Sequence, residues 1–86
     1  MDKGNYILTE HALLRLKERD ISLIDAEWVL KNGYHEKRKT SFDEKFKTWK
    51  YAIRGTTIEA LDIRLILAFN QEGMVIITIM HVGEEL

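Results

Sequence analysis

The chain of 86 residues has no cysteine, which excludes disulfides and thiolate-held metals and is compatible with a reducing compartment. It has no apolar run near the roughly 20 residues that a membrane-crossing helix needs. Its first residues, MDKGNYIL, hold neither a long apolar stretch nor a small-residue cleavage site, so no signal peptide and no membrane contact are expected, and the expected location is cytoplasmic. The five glycines stand singly, without a phosphate-cradling loop. His11, His35 and His81 form no short ligand pair, and neither a metal nor another cofactor is expected. There is no internal repeat, low-complexity tract or linker. One domain spanning residues 1–86 is expected, and at this length folding buries about 60 to 65% of the surface of the unfolded chain.

What is present is an ordinary globular composition, 45% hydrophobic and 31% charged, with a formal net charge of −1. That total hides an uneven distribution. From Lys31 to Arg54 there are eight basic residues against three acidic ones, while the remainder carries five basic and eleven acidic residues. A basic middle on an acidic body concentrates a local field that favours an anionic partner such as RNA. The same lysines also suit a solvated edge that resists sheet-to-sheet aggregation, and composition alone does not choose between the two.

Thr9 is a suitable N-cap for a first helix of about three turns that ends near Asp20-Ile21. Ser22 with Asp25 three residues later reads as a capping box opening a second helix, and Asn32-Gly33 supplies a left-handed stop. After Gly33 the period changes. TWKYAIRG alternates as a half-buried strand, LDIRLILAF and GMVIITIMHV follow, and Asn70 to Gly73 reads as a hairpin turn. The last strand is apolar on both faces and is expected to be central. A further strand between Tyr34 and Thr40 is optional. The expected fold class is therefore α+β, with an amino-terminal helical hairpin followed by a three- or four-stranded antiparallel sheet.

Four-residue spacing places His11, Arg15 and Arg19 in one row on the first helix, with Ala12, Leu13 and Leu16 on the other side. On the strands, alternation puts Arg54 with Lys50, Arg64 with Asp62, Ile66 and Ala68, and Thr78 with Met74, Ile76 and Met80. Arg64 and Thr78 interrupt apolar strands, so each requires a polar partner if buried. Metal-independent RNA cleavage needs a proton acceptor and donor near neutrality and positive charge around the phosphorus; histidine suits the first tasks and arginine the last. The opposed reading makes the helix row a solvated face, with its arginines paired to Glu18 or Asp20 and His11 beside the first turn. Trp28 and Trp49 read first as packing residues, although Trp49 beside Lys47 and Lys50 also suits a stacking surface.

The opening HALLRLKERDIS and the closing GMVIITIM resemble the small bacterial family catalogued as domain of unknown function 4258, grouped with RelE-like and barnase-like ribonuclease toxins. The likeness spans nearly the whole chain and is weakest from Tyr34 to Lys47. It implies a RelE-like layout and an endoribonuclease of the toxin kind, with an antitoxin protein, RNA or the ribosome as partners. It places the family's His and two Arg on His11, Arg15 and Arg19 and its strand Thr on Thr78, with Arg64 at a phosphate-binding strand position. On this reading His11, Arg15 and Arg64 are catalytic, and Arg19, Lys50, Arg54 and Thr78 hold substrate. The near-neutral charge departs from strongly basic toxins. A non-enzymatic module, binding RNA or another protein or forming a homo-oligomer, is the rival expectation.

Overall fold

The computed structural model describes residues 6–83. Strand β1 (Tyr6–Leu8) leads into helix α1 (Glu10–Glu18), helix α2 (Leu23–Asn32), strand β2 (Tyr34–His35), a single 3₁₀ turn at Lys37–Lys39, and strands β3 (Ser41–Asp43), β4 (Thr48–Thr56), β5 (Asp62–Asn70) and β6 (Gly73–His81). The caps act where the sequence puts them. Thr9 is extended and its hydroxyl accepts from the Ala12 amide at 3.0 Å, and Ser22 accepts from the Asp25 amide at 3.1 Å. Asp20, at φ 56°, turns the chain between the helices. Among the described residues no helix is long and apolar enough to cross a membrane.

The expected layout needs correction. Among the described residues the sheet has six strands and is mixed: its order is β1-β6-β5-β4-β2, β3 also pairs with β4, and β1 runs parallel to β6. A strand therefore precedes the helices, and neither the helical-hairpin start, nor the three- or four-stranded antiparallel sheet, nor the RelE-like layout describes it. The reason lies in length and distance. Three residues contain barely one two-residue period, and the partners of β1 lie at Met74 to Ile76, beyond the reach of any local pattern. The Tyr34 to Thr40 stretch likewise gives only the two residues of β2 before the 3₁₀ turn.

Other local expectations hold. Asn70 pairs with Gly73 across a two-residue loop, and β6 is central, between β1 and β5. Gly33 differs from its expected role, because its φ of −78° and ψ of −170° are extended rather than left-handed. Glycine is required there by space: a Cβ would lie 2.6 Å from the carbonyl oxygens of both Arg54 and Val29. That close approach seats α2 against β4.

Both helices cover one face of the sheet. Ala12, Leu16, Ala26 and Val29 meet Ile63, Leu65, Leu67, Met74, Ile76 and Ile79 in the core. Each such aliphatic side chain larger than alanine contributes about 1.5–3 kcal/mol by leaving water. The opposite face carries Arg54, Asp62, Arg64, Ile66, Thr78 and Met80, since residues paired across antiparallel strands point the same way. A register shift separates two runs of β6: Ile66 pairs with Thr78, but Leu67 pairs with Ile76. The bulge reverses the alternation. Thr78 consequently shares its face with Met80 and Val75, whereas Met74 and Ile76 face the helices, which corrects the grouping expected from uninterrupted alternation.

Candidate functional site

The outer edge of β4 determines where the polar residues go. β2 pairs with Ile53 and Arg54, β3 pairs with Thr48, Trp49 and Lys50, and the gap at Ala52 is closed by other means. The Ala52 carbonyl accepts from the Glu36 amide at 2.7 Å, and its amide donates to the Thr40 hydroxyl at 3.1 Å. Thr40 in turn donates to the Glu36 carbonyl, so its 2.7 Å contact with His35 Nε2 is one in which the imidazole donates. This stitching holds Glu36 over the face that the helices leave open.

There Glu36 takes a forked pair of bonds from Arg64, 2.7 Å from Nε and 3.2 Å from Nη2. Arg54, directly across from Arg64, reaches Glu36 at 3.4 Å and forks onto Asp62 at 3.1 and 2.7 Å. Arg64 is only 4% exposed. Its guanidinium holds the Glu36 carboxyl below the usual range, and Arg54 does the same for Asp62. Two guanidinium charges thus meet two carboxylates. A phosphate would have to displace Glu36 or Asp62 to bind either arginine.

The remaining nominated residues fall elsewhere. Lys50 binds Asp43 at 2.9 Å, and Thr78 lies opposite Ile66. On α1, His11 is exposed and its Nε2 accepts from Arg15 Nε at 3.3 Å, while Arg15 binds Glu18 at 2.7 Å and Arg19 approaches the same carboxylate at 3.7 Å. His81 closes the end of that helix, its Nε2 lying 3.0 Å from the Arg19 carbonyl. The structure therefore brings Arg54 and Arg64 together, and His11 with Arg15 and Arg19, but puts the sheet between the two groups.

A different assembly stands out on the outer strands. The helix-bearing face continues along β4 past Ile53 to Tyr51 and Trp49. Tyr51 meets His35 on one side and Phe69 on the other, edge to face, with ring centroids 5.7 and 5.8 Å apart. Trp49 meets Phe42 in the same manner at 5.4 Å, because β3 and β4 place the two directly opposite. Trp49 is 50% exposed and Phe69 56%. Phe46, at the tip of the β3–β4 turn, is exposed and lies under the Lys45 ammonium at 5.5 Å.

The charge around these rings is positive because two of the three acids in the basic segment are engaged and the exposed cations outnumber the third, Glu44. Glu36 is held by the arginines. Asp43 binds Lys50 and accepts from the Lys45 and Phe46 amides, with Lys50 the chief reason its carboxyl titrates low. Lys37, Arg38, Lys39, Lys45 and Lys47 are exposed, and among the described residues none of them forms an ion pair. Sequence reasoning registered the basic segment and Trp49 but missed Phe42, Phe46 and Phe69. Of these only Phe42 had a legible signal, as it and Trp49 flank the DEKFKT stretch.

This is the chemistry of a surface that can stack flat rings and attract anions. The chain belongs to the family described as Domain of unknown function (DUF4258), whose pattern matches residues 8–81. No curated protein and no solved structure matches it.

Proposed function

We propose that this protein binds single-stranded RNA on the aromatic and basic surface of β3, β4 and the end of β5. The observation that carries this reading is the exposed Trp49–Phe42 pair beside Tyr51 and Phe69, next to five cations without carboxylate partners among the described residues. Bases stack on such rings whatever their sequence, and lysines track the phosphates. Anisotropy of a labelled mixed-sequence RNA oligonucleotide should show binding that weakens with salt, with a logarithmic slope of about −0.7 per phosphate contacted. Trp49→Ala should lower affinity by about 1–3 kcal/mol, the usual worth of one stacked base. A folded wild-type protein that binds no RNA at low salt would overturn the reading.

A second reading is favoured by the contact between His11 and Arg15 on an accessible helix face. It makes the chain a metal-independent endoribonuclease of the toxin kind, the enzyme that an antitoxin would cover. His11 would take the 2′-hydroxyl proton as that oxygen attacks the phosphorus, the bond to the 5′-oxygen would break with water supplying the proton to that oxygen, and Arg15 and Arg19 would face the phosphate. RNA ends mapped with and without ribosomes test it. Cuts by the wild type that vanish in a folded His11→Ala variant support it, and cuts that persist in that variant remove His11 from the chemistry.

A further inference from the structure

Helix α1 and the start of α2 form the walls of an open groove of about 1080 Å³. Its floor is Leu16 and Ile21, both buried in the core. Its walls are Leu13, Leu14, Leu23 and Ile24, of which Ile24 is 72% exposed. Neither helix needs these side chains for its own packing, because α1 buries Ala12 and Leu16 and α2 buries Ala26 and Val29. Four large aliphatic side chains in one concave patch are the mark of a docking surface rather than scattered exposure.

The rim fixes the chemistry of the occupant. Glu10, Asp20, Asp25 and Glu59 line the groove, with Lys17 the one cation among its lining residues. A second copy of the chain seated symmetrically would bring two acidic rims together, which is repulsive. The walls are helices, whose backbone groups are largely bonded internally, so no strand edge is offered there. An occupant must then satisfy its own backbone, which a helix does. We infer that this groove receives an amphipathic helix of another protein, with leucine-like anchors at three- and four-residue spacing and lysine or arginine beside them. This surface is separate from the RNA surface proposed above.

Two synthetic peptides of about 20 residues, long enough for several helical turns, test the inference. Both carry leucines at i, i+3, i+4 and i+7; one has lysines beside them and the other glutamates. Anisotropy against the full chain should show the lysine peptide binding roughly tenfold or more tightly than the glutamate peptide. The double variant Leu13→Ser with Ile24→Ser should lose that binding, and Glu10→Lys with Glu59→Lys should reverse the preference. Trp49→Ala, by contrast, should leave peptide affinity unchanged. Equal affinity for the two peptides, or binding of neither by folded protein, would overturn the inference. So would a dimer in sedimentation that Ile24→Ser dissolves, since the second copy would then be the occupant.

Discussion

Arg64 sits among Ile66, Met80 and Ala52 with its charge almost fully removed from water, and the forked bond to Glu36 offsets that burial. Removing one member of such a pair takes away the opposite charge that offsets the burial of the other. Glu36→Gln should therefore destabilise the fold by about 3–5 kcal/mol, read as a lower urea midpoint at neutral pH. The pH dependence has a defined sign. The folded-state pKa of Glu36 is depressed, chiefly by the Arg64 hydrogen bond, so its contribution is fully present above the unfolded carboxyl value and is lost as pH falls through the folded one. Asp62 acts in the same direction through Arg54. Midpoints followed downward from neutral should fall more steeply in the wild type than in Glu36→Gln. An equal slope in both would show that the carboxylate at 36 carries none of the acid sensitivity.

At the scale of elements, the contact of α2 with β4 depends on two glycines facing each other. A Cβ at Gly33 would strike backbone carbonyls on both sides, and one at Gly55 would come within 3.1 Å of the Gly33 Cα and of Val29. Backbone atoms cannot turn aside as a lysine tip can. Gly33→Ala should cost about 1–3 kcal/mol from overpacking, despite an extended backbone that alanine itself tolerates. Thermal denaturation checks this, and an unchanged midpoint would mean that the helix rides outward without loss. The same elements show what the sequence made legible. Helix starts at Thr9 and Ser22, the Asn70–Gly73 hairpin and the central β6 were readable because their causes act within one cap, one turn or one strand. The β6 bulge was not, because Ile77 carries no glycine or polar signal for it. Nor was the partner of Arg64, since Glu36 lies 28 positions away and its placement depends on the Thr40 and Ala52 bonds.

Across the whole molecule, a net charge of −1 conceals two poles. The aromatic and basic surface surrounds the first residues of β4, while Glu59, on the acidic rim, follows its last. A nine-residue strand at about 3.3 Å per residue separates them. RNA and the lysine-rich helix should then bind together without competition. A saturating amount of either, titrated against the other, should shift its affinity less than about twofold, within the range expected of sites that do not share contacts. Mutual exclusion would place both ligands on one surface. The candidate residues were legible here only as types: the basic segment was visible in the sequence, but which of its cations are spent on Glu36 and Asp43 is settled by pairing across strands.

The parallel strand β1 also sets the order in which the fold can be completed. Tyr6 pairs with Met74 and Thr9 donates its amide to the Ile76 carbonyl, so almost the entire chain lies within the loop that this pairing closes. Closure entropy grows with the logarithm of that loop, and the β4–β5 and β5–β6 hairpins close far shorter ones. During synthesis, the earliest strand must wait for the latest. In pulsed hydrogen exchange during refolding, amides of β5 and β6 should gain protection before the Thr9 amide does, and until then the outer edge of β6 is open to pairing with another nascent chain.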